Sequence, residues 1–187
     1  MDRVLVLVKP DGVERALIGS VIKRFEEAGL KVTGIKMIKP TEEIVKKHYT
    51  DDKVWLMCTG KKAKQAAIER GHVINETEEE CGHRIRGLLI KELTRSVVVA
   101  FVLEGNACAE VARKIAGSTE PRKADPATIR GTYSSDTYAL ADSTKRPVRN
   151  IVHVSENAEI GEKEIKVWFK ESEVFKYKRA DEKAMYG

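Results

Sequence analysis

One histidine in the C-terminal part of the chain has neighbours suited to phosphoryl chemistry. His153 lies in "RPVRNIVHVSEN", two residues before Ser155. A neutral imidazole is available at pH 7, and its free ring nitrogen can attack a phosphoryl group. Glu164 follows in the next predicted helix, so a helix that folds back lets this carboxylate orient the ring, with Ser155 as a bridge. The pattern therefore predicts His153 as a nucleophile.

Basic and hydroxyl side chains elsewhere supply the ligands that a phosphate needs. Arg113 ends a predicted helix, Thr119 follows the glycine that stops it, and Arg130 lies in "TIRG". Lys9, in "VKPDG", directly follows the first predicted strand. Neither GxxxxGK[ST] nor GxGxxG occurs, so a phosphate site here must be built from side chains. A histidine at a strand end is most often structural, and these partners are what favour catalysis.

Composition restricts the classes of protein that this chain can belong to. Hydrophobic residues make up 42% of the 187 residues and charged residues 34%, which predicts one globular domain over 1–187. The net charge of +5 suits anionic partners without choosing among them. No apolar run is long enough for a membrane span, and three cysteines without CxxC spacing favour reduced thiols in the cytoplasm.

Alternating strand and helix patterns predict the elements that position these residues. Two βαβ units are separated by a long middle segment, which favours an α+β, ferredoxin-like βαββαβ fold: a four-stranded antiparallel sheet with helices on one face. In such a sheet the first and fourth strands bring Lys9 and His153 to one cleft. The predicted strands are 4–8, 30–38, 96–105 and 149–154, and the predicted helices are 18–28, 107–116 and 158–169.

Two segments lie outside this skeleton. Residues 40–95 contain a short helix candidate, "TEEIVKKHY", and a polar stretch whose glutamate run indicates a solvated face. Residues 117–148 are rich in Gly, Pro, Ser, Thr and basic residues and have almost no periodicity. Loops of that length in compact domains are usually functional or disordered, so this segment is a candidate for ligand binding.

Several short blocks occur in the order typical of nucleoside diphosphate kinases, and the chain resembles that family over 3–49 and 88–170. The blocks are "VKPDGVER", "HY" at 48 and 49, "LEG", "ARKIAGST", "PATIRG", "RNIVHVSEN" and "EKEIKVWF". The resemblance implies a ferredoxin-like enzyme that transfers a γ-phosphoryl group between nucleotides through a phosphohistidine, with Mg²⁺ on the phosphates. Segments at about 50–87 and 132–148 resemble the two inserts of longer archaeal-type members. Family members assemble as hexamers or tetramers, and we expect a hexamer.

The resemblance also implies a role for each matching residue. His153 is implied as the phosphorylated nucleophile, with Ser155 and Glu164 orienting its ring. Nucleotide binding is implied for six residues: Lys9 on the transferred phosphoryl and the sugar hydroxyl, Tyr49 beside Lys9, Arg113, Thr119 and Arg130 on the phosphates, and Asn150 on the sugar.

The chain departs from the family pattern at a few positions. Val154 stands where a glycine usually follows the histidine, and Thr132 stands where an aspartate usually follows "IRG". Arg95-Ser96 stand where a segment containing Gly and Pro usually precedes the third strand. Ile85 is the nearest counterpart of the aromatic residue that stacks on the base. With no base-reading polar groups apparent, we expect little preference among nucleobases.

Two other functions stay open at this stage. A basic ferredoxin-like module could bind nucleic acid, but its central strands should then expose two or three aromatic residues. "VLVLV" and "VVVAFV" offer one phenylalanine between them. The other alternative is a kinase-like subunit that has lost its activity, suggested by Val154 and the missing stacking ring.

Overall fold

A four-stranded antiparallel sheet forms the centre of the molecule. The computed structural model describes all residues from Met1 to Gly187. The strand order β2-β3-β1-β4 confirms the predicted ferredoxin-like sheet. Because β4 pairs antiparallel with β1, the end of β1 lies beside the start of β4. The strands are β1 Asp2–Val8, β2 Lys31–Ile38, β3 Val98–Gly105 and β4 Val152–Val154.

Ten α-helices and two short 3₁₀-helices surround the sheet. None of these helices combines the length and the hydropathy that a bilayer span requires. The helices are α1 Pro10–Glu14, α2 Ile18–Glu27, α3 Glu42–His48, α4 Lys53–Ile68, α5 Glu78–Thr94, α6 Cys108–Ala116, α7 Ile129–Tyr133, α8 Tyr138–Ser143, α9 Ala158–Trp168 and α10 Glu182–Tyr186, with 3₁₀-helices at Pro121–Lys123 and Glu171–Glu173.

Helices cover both faces of the sheet, whereas the sequence pattern predicted helices on one face. The crossover helices α2 and α6 pack with Val4 and Val6 on the predicted face. On the opposite face, residues of α3, α5 and α9 pack with Leu5 and Leu7. The reason lies in β1 itself, because it is apolar at every position from Val4 to Val8 and that stretch must be buried on both sides.

Glycines and polar caps mark the ends of several helices. Gly29 after α2 and Gly117 after α6 both have φ of +84°, a conformation that side chains rarely adopt. Asn157 begins α9, with its side-chain oxygen accepting the Ile160 N–H at 2.9 Å. These caps fix where the chain leaves each helix on its way to the site.

Helix α9 buries one face against β1. Glu162 lies off this face and is half-buried, and it binds the Arg3 guanidinium, with its two oxygens 2.8 and 2.6 Å from Arg3 nitrogens. The inner face carries Gly161, Ile165 and Trp168. A Cβ at position 161 would press on the backbone of Arg3, so glycine lets α9 approach β1 closely.

The first insert forms an ordered helical hairpin where the sequence indicated a mostly polar stretch. The glutamate run is the first turn of α5, and Thr77 and Glu80 form a capping box there. Helices α4 and α5 cross at two glycines: a Cβ on Gly60 would overlap the backbone oxygen of Glu78, and one on Gly82 that of Leu56. The hairpin therefore depends on backbone contact between its helices.

The three cysteines are unpaired and differ in exposure. Cys58 lies on the exposed side of α4, whereas Cys81 in α5 and Cys108 in α6 are buried. Burial raises the pKa of the Cys81 thiol and raises that of Cys108 to about 12.

Candidate active site

Lys9 and the segment before His153 meet where β1 ends and β4 begins. Leu7 of β1 pairs with His153 of β4, and the Lys9 N–H donates to the Ile151 carbonyl at 2.8 Å. The Lys9 ammonium then donates to the Asn150 side-chain oxygen at 2.9 Å. The sheet register thus brings Lys9 to the same edge as Asn150 and His153, which follow more than a hundred positions later in the sequence.

One nitrogen of the His153 ring faces a carboxylate. His153 Nε2 lies 3.0 Å from both oxygens of Glu164, and Ser155 Oγ donates to Glu164 Oε2 at 2.5 Å. Since a carboxylate only accepts, it favours the tautomer with a proton on Nε2 and leaves the Nδ1 lone pair free. The structure brings the three predicted residues together, and Nδ1 is the nitrogen that can react.

Glu164 is charged across the whole physiological pH range. Burial alone raises the pKa of this carboxyl, but the attraction of His153 and the hydrogen bonds from His153 and Ser155 outweigh it and lower the pKa to about 2. The carboxylate therefore remains an acceptor for Nε2–H at every pH at which the ring itself is neutral.

The Lys9 ammonium is buried beside the polar groups of the following loop. Lys9 is 5% exposed, and this burial lowers the pKa of its amine. Its partner Asn150 donates from Nδ2 to the Thr119 carbonyl at 2.8 Å, which links β4 to the loop after α6. Lys9, Asn150 and Thr119 therefore form one connected row along the cleft.

The two predicted arginines differ in exposure and in their hydrogen-bond partners. Arg130 is held by carbonyl oxygens of Gly117 and Val152, at 2.6 and 2.9 Å, and its Nε has no partner. Burial lowers the pKa of Arg130 to about 10, so the guanidinium stays charged at pH 7. Arg113 is exposed and donates to the Glu156 carbonyl at 2.7 Å.

A strained turn before β4 replaces the first half of the predicted fourth strand. Ile151 has φ of +69°, a genuine outlier for a β-branched residue, and the Val152 N–H closes the turn on the Asn150 carbonyl at 2.7 Å. The buried Asp11 carboxylate holds this turn by accepting the Ile151 N–H at 2.9 Å. The sequence pattern gave Asp11 no role of its own, and this contact was not predicted.

The ring of His48 lies between those of Tyr49 and His153. The Tyr49 ring is 4.6 Å from that of His48, and the His48 ring is 4.5 Å from that of His153. No hydrogen bond joins Tyr49 to Lys9, although the two residues were predicted to act together. Burial raises the pKa of the Tyr49 hydroxyl, which keeps it protonated. His48 was not predicted as a site residue, although it stands in the quoted "HY".

A cavity of about 290 Å³ opens beside Thr119, between the two inserts. One wall comes from α5 and includes Ile85, and another comes from α4 and α8. Arg70, which follows the end of α4, forms an ion pair of 2.6 Å with Asp142 of α8 and so links these two helices. The cavity is mostly apolar. It adjoins the row of Lys9, Asn150 and Thr119 at its Thr119 end.

The departures from the family pattern have local explanations. Val154 lies in regular strand pairing with Val6, and its φ is not positive, so a β-branched residue fits there. Thr132 donates its hydroxyl to the Pro126 carbonyl at 2.8 Å within the loop. Arg95 binds the Glu14 carboxylate at 2.5 Å and anchors the end of α5.

The chain is similar to known proteins over nearly its whole length. The family model described as nucleoside diphosphate kinase matches 2–56 and 61–174. The nucleoside diphosphate kinase of Pyrobaculum aerophilum is 39% identical, over 93% of this chain and 98% of that relative. The corresponding kinase of Borreliella burgdorferi is 37% identical, over 97% of this chain and 95% of that relative.

Solved structures agree with these relatives. A crystal structure of an NDP kinase from Pyrobaculum aerophilum superposes with a TM-score of 0.90 at 38% identity, covering 94% of this chain and 99% of that one. A transition-state mimic of the Borrelia burgdorferi kinase, with bound vanadate and ADP, gives 0.78 at 37% identity, covering 96% and 94%. Fold and relatives define an α+β phosphotransferase. The chain belongs to the nucleoside diphosphate kinase family.

Proposed function

We propose that the protein transfers the γ-phosphoryl group of a nucleoside triphosphate to a nucleoside diphosphate through phosphorylated His153. One observation carries this proposal: Nε2 of His153 is held by Glu164 while Nδ1 is left free, next to the strand end that carries Lys9. A ring oriented in this way can accept a phosphoryl group in one half-reaction and release it in the next, which is a ping-pong mechanism.

In the first half-reaction the Nδ1 lone pair attacks the γ-phosphorus. The bond to the bridging oxygen breaks, and the nucleoside diphosphate leaves with that electron pair. The Nε2 proton stays on the ring, where Glu164 stabilises the positive charge that develops. In the second half-reaction a terminal oxygen of another nucleoside diphosphate attacks the phosphorus, and His153 regains its lone pair.

The basic residues of the cleft hold the phosphates during both steps. Lys9 is buried and Arg130 is half-buried, and both lie next to β4. Arg130 contributes its positive charge, since its Nε is buried and its other two nitrogens bind carbonyl oxygens. The exposed Arg113 and Thr119 can reach a nucleotide from the rim. Under this proposal Asn150, which binds Lys9, contacts the sugar hydroxyls, and Tyr49 closes one side of the site beside the His153 ring.

Magnesium fits this site as part of the nucleotide substrate. Both oxygens of Glu164 contact His153, and one of them also accepts from Ser155. Asp11 accepts the Ile151 N–H with Oδ2, and its Oδ1 is buried. Mg²⁺ prefers phosphate oxygens and water to buried or hydrogen-bonded carboxylates. On the phosphates it would neutralise part of their charge, and Lys9 and Arg130 would supply further positive charge.

The cavity between the inserts accommodates the nucleobase. Thr119 lines one end of it, and the Thr119 carbonyl accepts a hydrogen bond from the side chain of Asn150, which in turn binds Lys9. Apolar walls that include Ile85 and Pro147 can pack on any base. We therefore expect kcat/KM values for ADP, GDP, CDP and UDP to agree within about a hundredfold, which corresponds to ~2.7 kcal/mol.

We infer that residues 1–187 form one domain that assembles into a homo-oligomer, with a hexamer as the expected state. Exposed apolar side chains on β2 support this inference, because Ile35 is 53% and Met37 59% exposed. Phe175, whose N–H binds the Thr33 carbonyl of β2, is 66% exposed. A cytoplasmic location is consistent with its three free thiols and is tested by cell fractionation.

Nucleic-acid binding is the weaker alternative. A ferredoxin-like RNA-binding module stacks bases on an open face of its sheet. Here both faces of the sheet are covered by helices, so central-strand residues such as Phe101 are buried. A catalytically inactive subunit is also less favoured, because every predicted catalytic side chain is present.

Radiolabelled ATP tests the proposed mechanism. We expect the wild-type protein to take up γ-phosphate in an acid-labile, base-stable form and to pass it to a nucleoside diphosphate. His153→Asn should remain folded and lose both reactions. The matched control is His83→Asn, which changes an exposed histidine of α5. Full activity in His153→Asn would refute the mechanism.

A further inference from the structure

His48 is buried in the wall of the catalytic site. Its side chain is 0% exposed, and neither ring nitrogen has a hydrogen-bond partner. Buried polar groups without partners are rare, and each one calls for an explanation. The residue ends α3, directly before Tyr49, and is not used by the phosphoryl-transfer steps described above.

The neighbours of His48 are the groups that orient the nucleophile. Its Nδ1 lies 3.5 Å from Glu164 Oε1, the oxygen that Ser155 leaves free. Its ring meets that of His153 edge-on, with the centroids 4.5 Å apart at 82°. Trp168 packs edge-on against the other side, at 5.7 Å. The imidazole is therefore enclosed between the carboxylate and aromatic rings.

We propose that His48 is a positioning residue for phosphoryl transfer: a neutral imidazole whose Nδ1–H points at Glu164 Oε1 and fixes the carboxylate that orients His153. This proposal rests on the proposed function. Ser155 holds one oxygen of Glu164 and His48 restrains the other, so the carboxylate cannot rotate away from Nε2 of His153. Because water is excluded, an N–H directed at a carboxylate remains attractive even at 3.5 Å.

The charge state of His48 agrees with this role. Burial and the nearby His153 lower the pKa of the His48 imidazole to about 3, so it stays neutral when the enzyme works. A charged His48 would compete with His153 for the same carboxylate. A neutral one adds a dipole without removing the negative charge that the phosphorylated ring needs.

The tautomer of His48 in the wild-type protein provides the first test. In ¹⁵N-histidine-labelled protein, we expect His48 to carry its proton on Nδ1 and to stay neutral from pH 5.5 to 8. A proton on Nε2, or a charged ring in this range, would overturn the proposal, because Nδ1 could not then act as described. This measurement needs no variant and stays decisive if variants fail to fold.

A matched pair of variants provides the second test. Asn and Leu are similar in size, but only the amide of His48→Asn keeps a donor close to the position of Nδ1. In single-turnover phosphorylation by ATP, we expect His48→Leu to be roughly tenfold slower at saturation, with an unchanged half-saturating ATP concentration. His48→Asn should stay within about threefold of the wild type.

Equal slowing in both variants would assign His48 a packing role and overturn the proposal. Thermal melting establishes that each variant folds, and His153→Asn sets the level of zero phosphorylation. If the wild-type protein itself takes up no label, the proposed function fails rather than the role of His48, so the two failures are distinguishable.

Discussion

The two nitrogens of the His153 ring have different surroundings, and this difference decides how the residue can react. Nε2 is fixed by Glu164, whereas Nδ1 has no protein partner. Ser155 and His48 lie beside the same carboxylate, so three side chains, Glu164, Ser155 and His48, decide the surroundings of one ring. Substitutions in this group should therefore change rates more than they change nucleotide affinity.

Glu164→Gln should lower the free energy of unfolding by an amount that depends on pH. The pKa of Glu164 in the folded protein, about 2, lies below the ordinary glutamate value of about 4.3 in an unfolded chain. The contribution of the Glu164 carboxylate to stability is therefore present above about pH 4.3 and is lost as the pH falls towards 2. Urea unfolding should show a lower free energy of unfolding for Glu164→Gln at pH 6, and a smaller difference from wild type at pH 3.

The exposed Glu171→Gln serves as the control for this comparison and should follow the wild type at both pH values. A difference for Glu164→Gln that stays constant between pH 6 and pH 3 would contradict the assigned charge state.

Asp11 should be required for the strained turn at Ile151. Asp11→Leu leaves the Ile151 N–H buried without a partner, so we expect a loss of about 1–3 kcal/mol of stability and at least tenfold lower phosphoryl exchange. Asp11→Asn keeps an acceptor oxygen and should be much closer to the wild type. Urea unfolding and exchange assays on both variants decide the point, since similar losses would show that charge matters and the hydrogen bond does not.

Residue types and order predicted His153, Lys9, Glu164 and their partners because each belongs to a recognisable sequence block. Asp11 and His48 also lie in such blocks, yet their contacts were not predicted. Both act across the fold, on Ile151 and Glu164 respectively, and no local spacing encodes a contact between residues more than a hundred positions apart.

Among the elements, the hairpin of α4 and α5 depends most directly on backbone contact. Gly82→Ala places a methyl group against the Leu56 carbonyl and should destabilise the protein by about 1–3 kcal/mol, an overpacking cost. Gly87→Ala, in the same helix, meets no atom within 4 Å and should stabilise it by about 0.5–1 kcal/mol, the difference in helix propensity. Denaturant unfolding of both variants measures the contrast, and equal effects would argue against the crossing.

Element prediction worked where periodicity was strong and failed where other contacts decided the structure. The apolar strands and the amphipathic α2 and α6 were predicted close to their true bounds. Helix α4 was missed because few of its residues are buried and glycine contacts replace an apolar stripe. The fourth strand is shorter than predicted because Asp11 holds Ile151 in a turn, which hydrophobicity does not reveal.

At the scale of the whole molecule, the sheet is covered on both faces but keeps partly exposed side chains on β2. Phe175 N–H pairs with the Thr33 carbonyl, so the C-terminal segment protects only part of this edge. Ile35 and Met37 remain exposed on the same strand. In the proposed assembly, a second copy of the chain covers this surface.

Charges on this surface should therefore reduce the assembled mass. We expect the double variant Ile35→Glu and Met37→Glu to sediment as smaller species than the wild type at low micromolar concentration, since burying two unpaired carboxylates is costly. Val73→Glu changes a residue that is 81% exposed in the first insert and should leave the mass unchanged. A wild-type protein at the 21.0 kDa monomer mass would refute assembly altogether.

The unequal exposure of the three cysteines makes this protein convenient to label without further mutation. A maleimide dye at neutral pH should modify Cys58 alone, because the thiols of Cys81 and Cys108 are buried and have raised pKa values. Cys58 lies next in sequence to Thr59, which lines the cavity between the inserts. A dye at this position can therefore report nucleotide entry as a change in fluorescence, in the wild-type enzyme and in every variant described above.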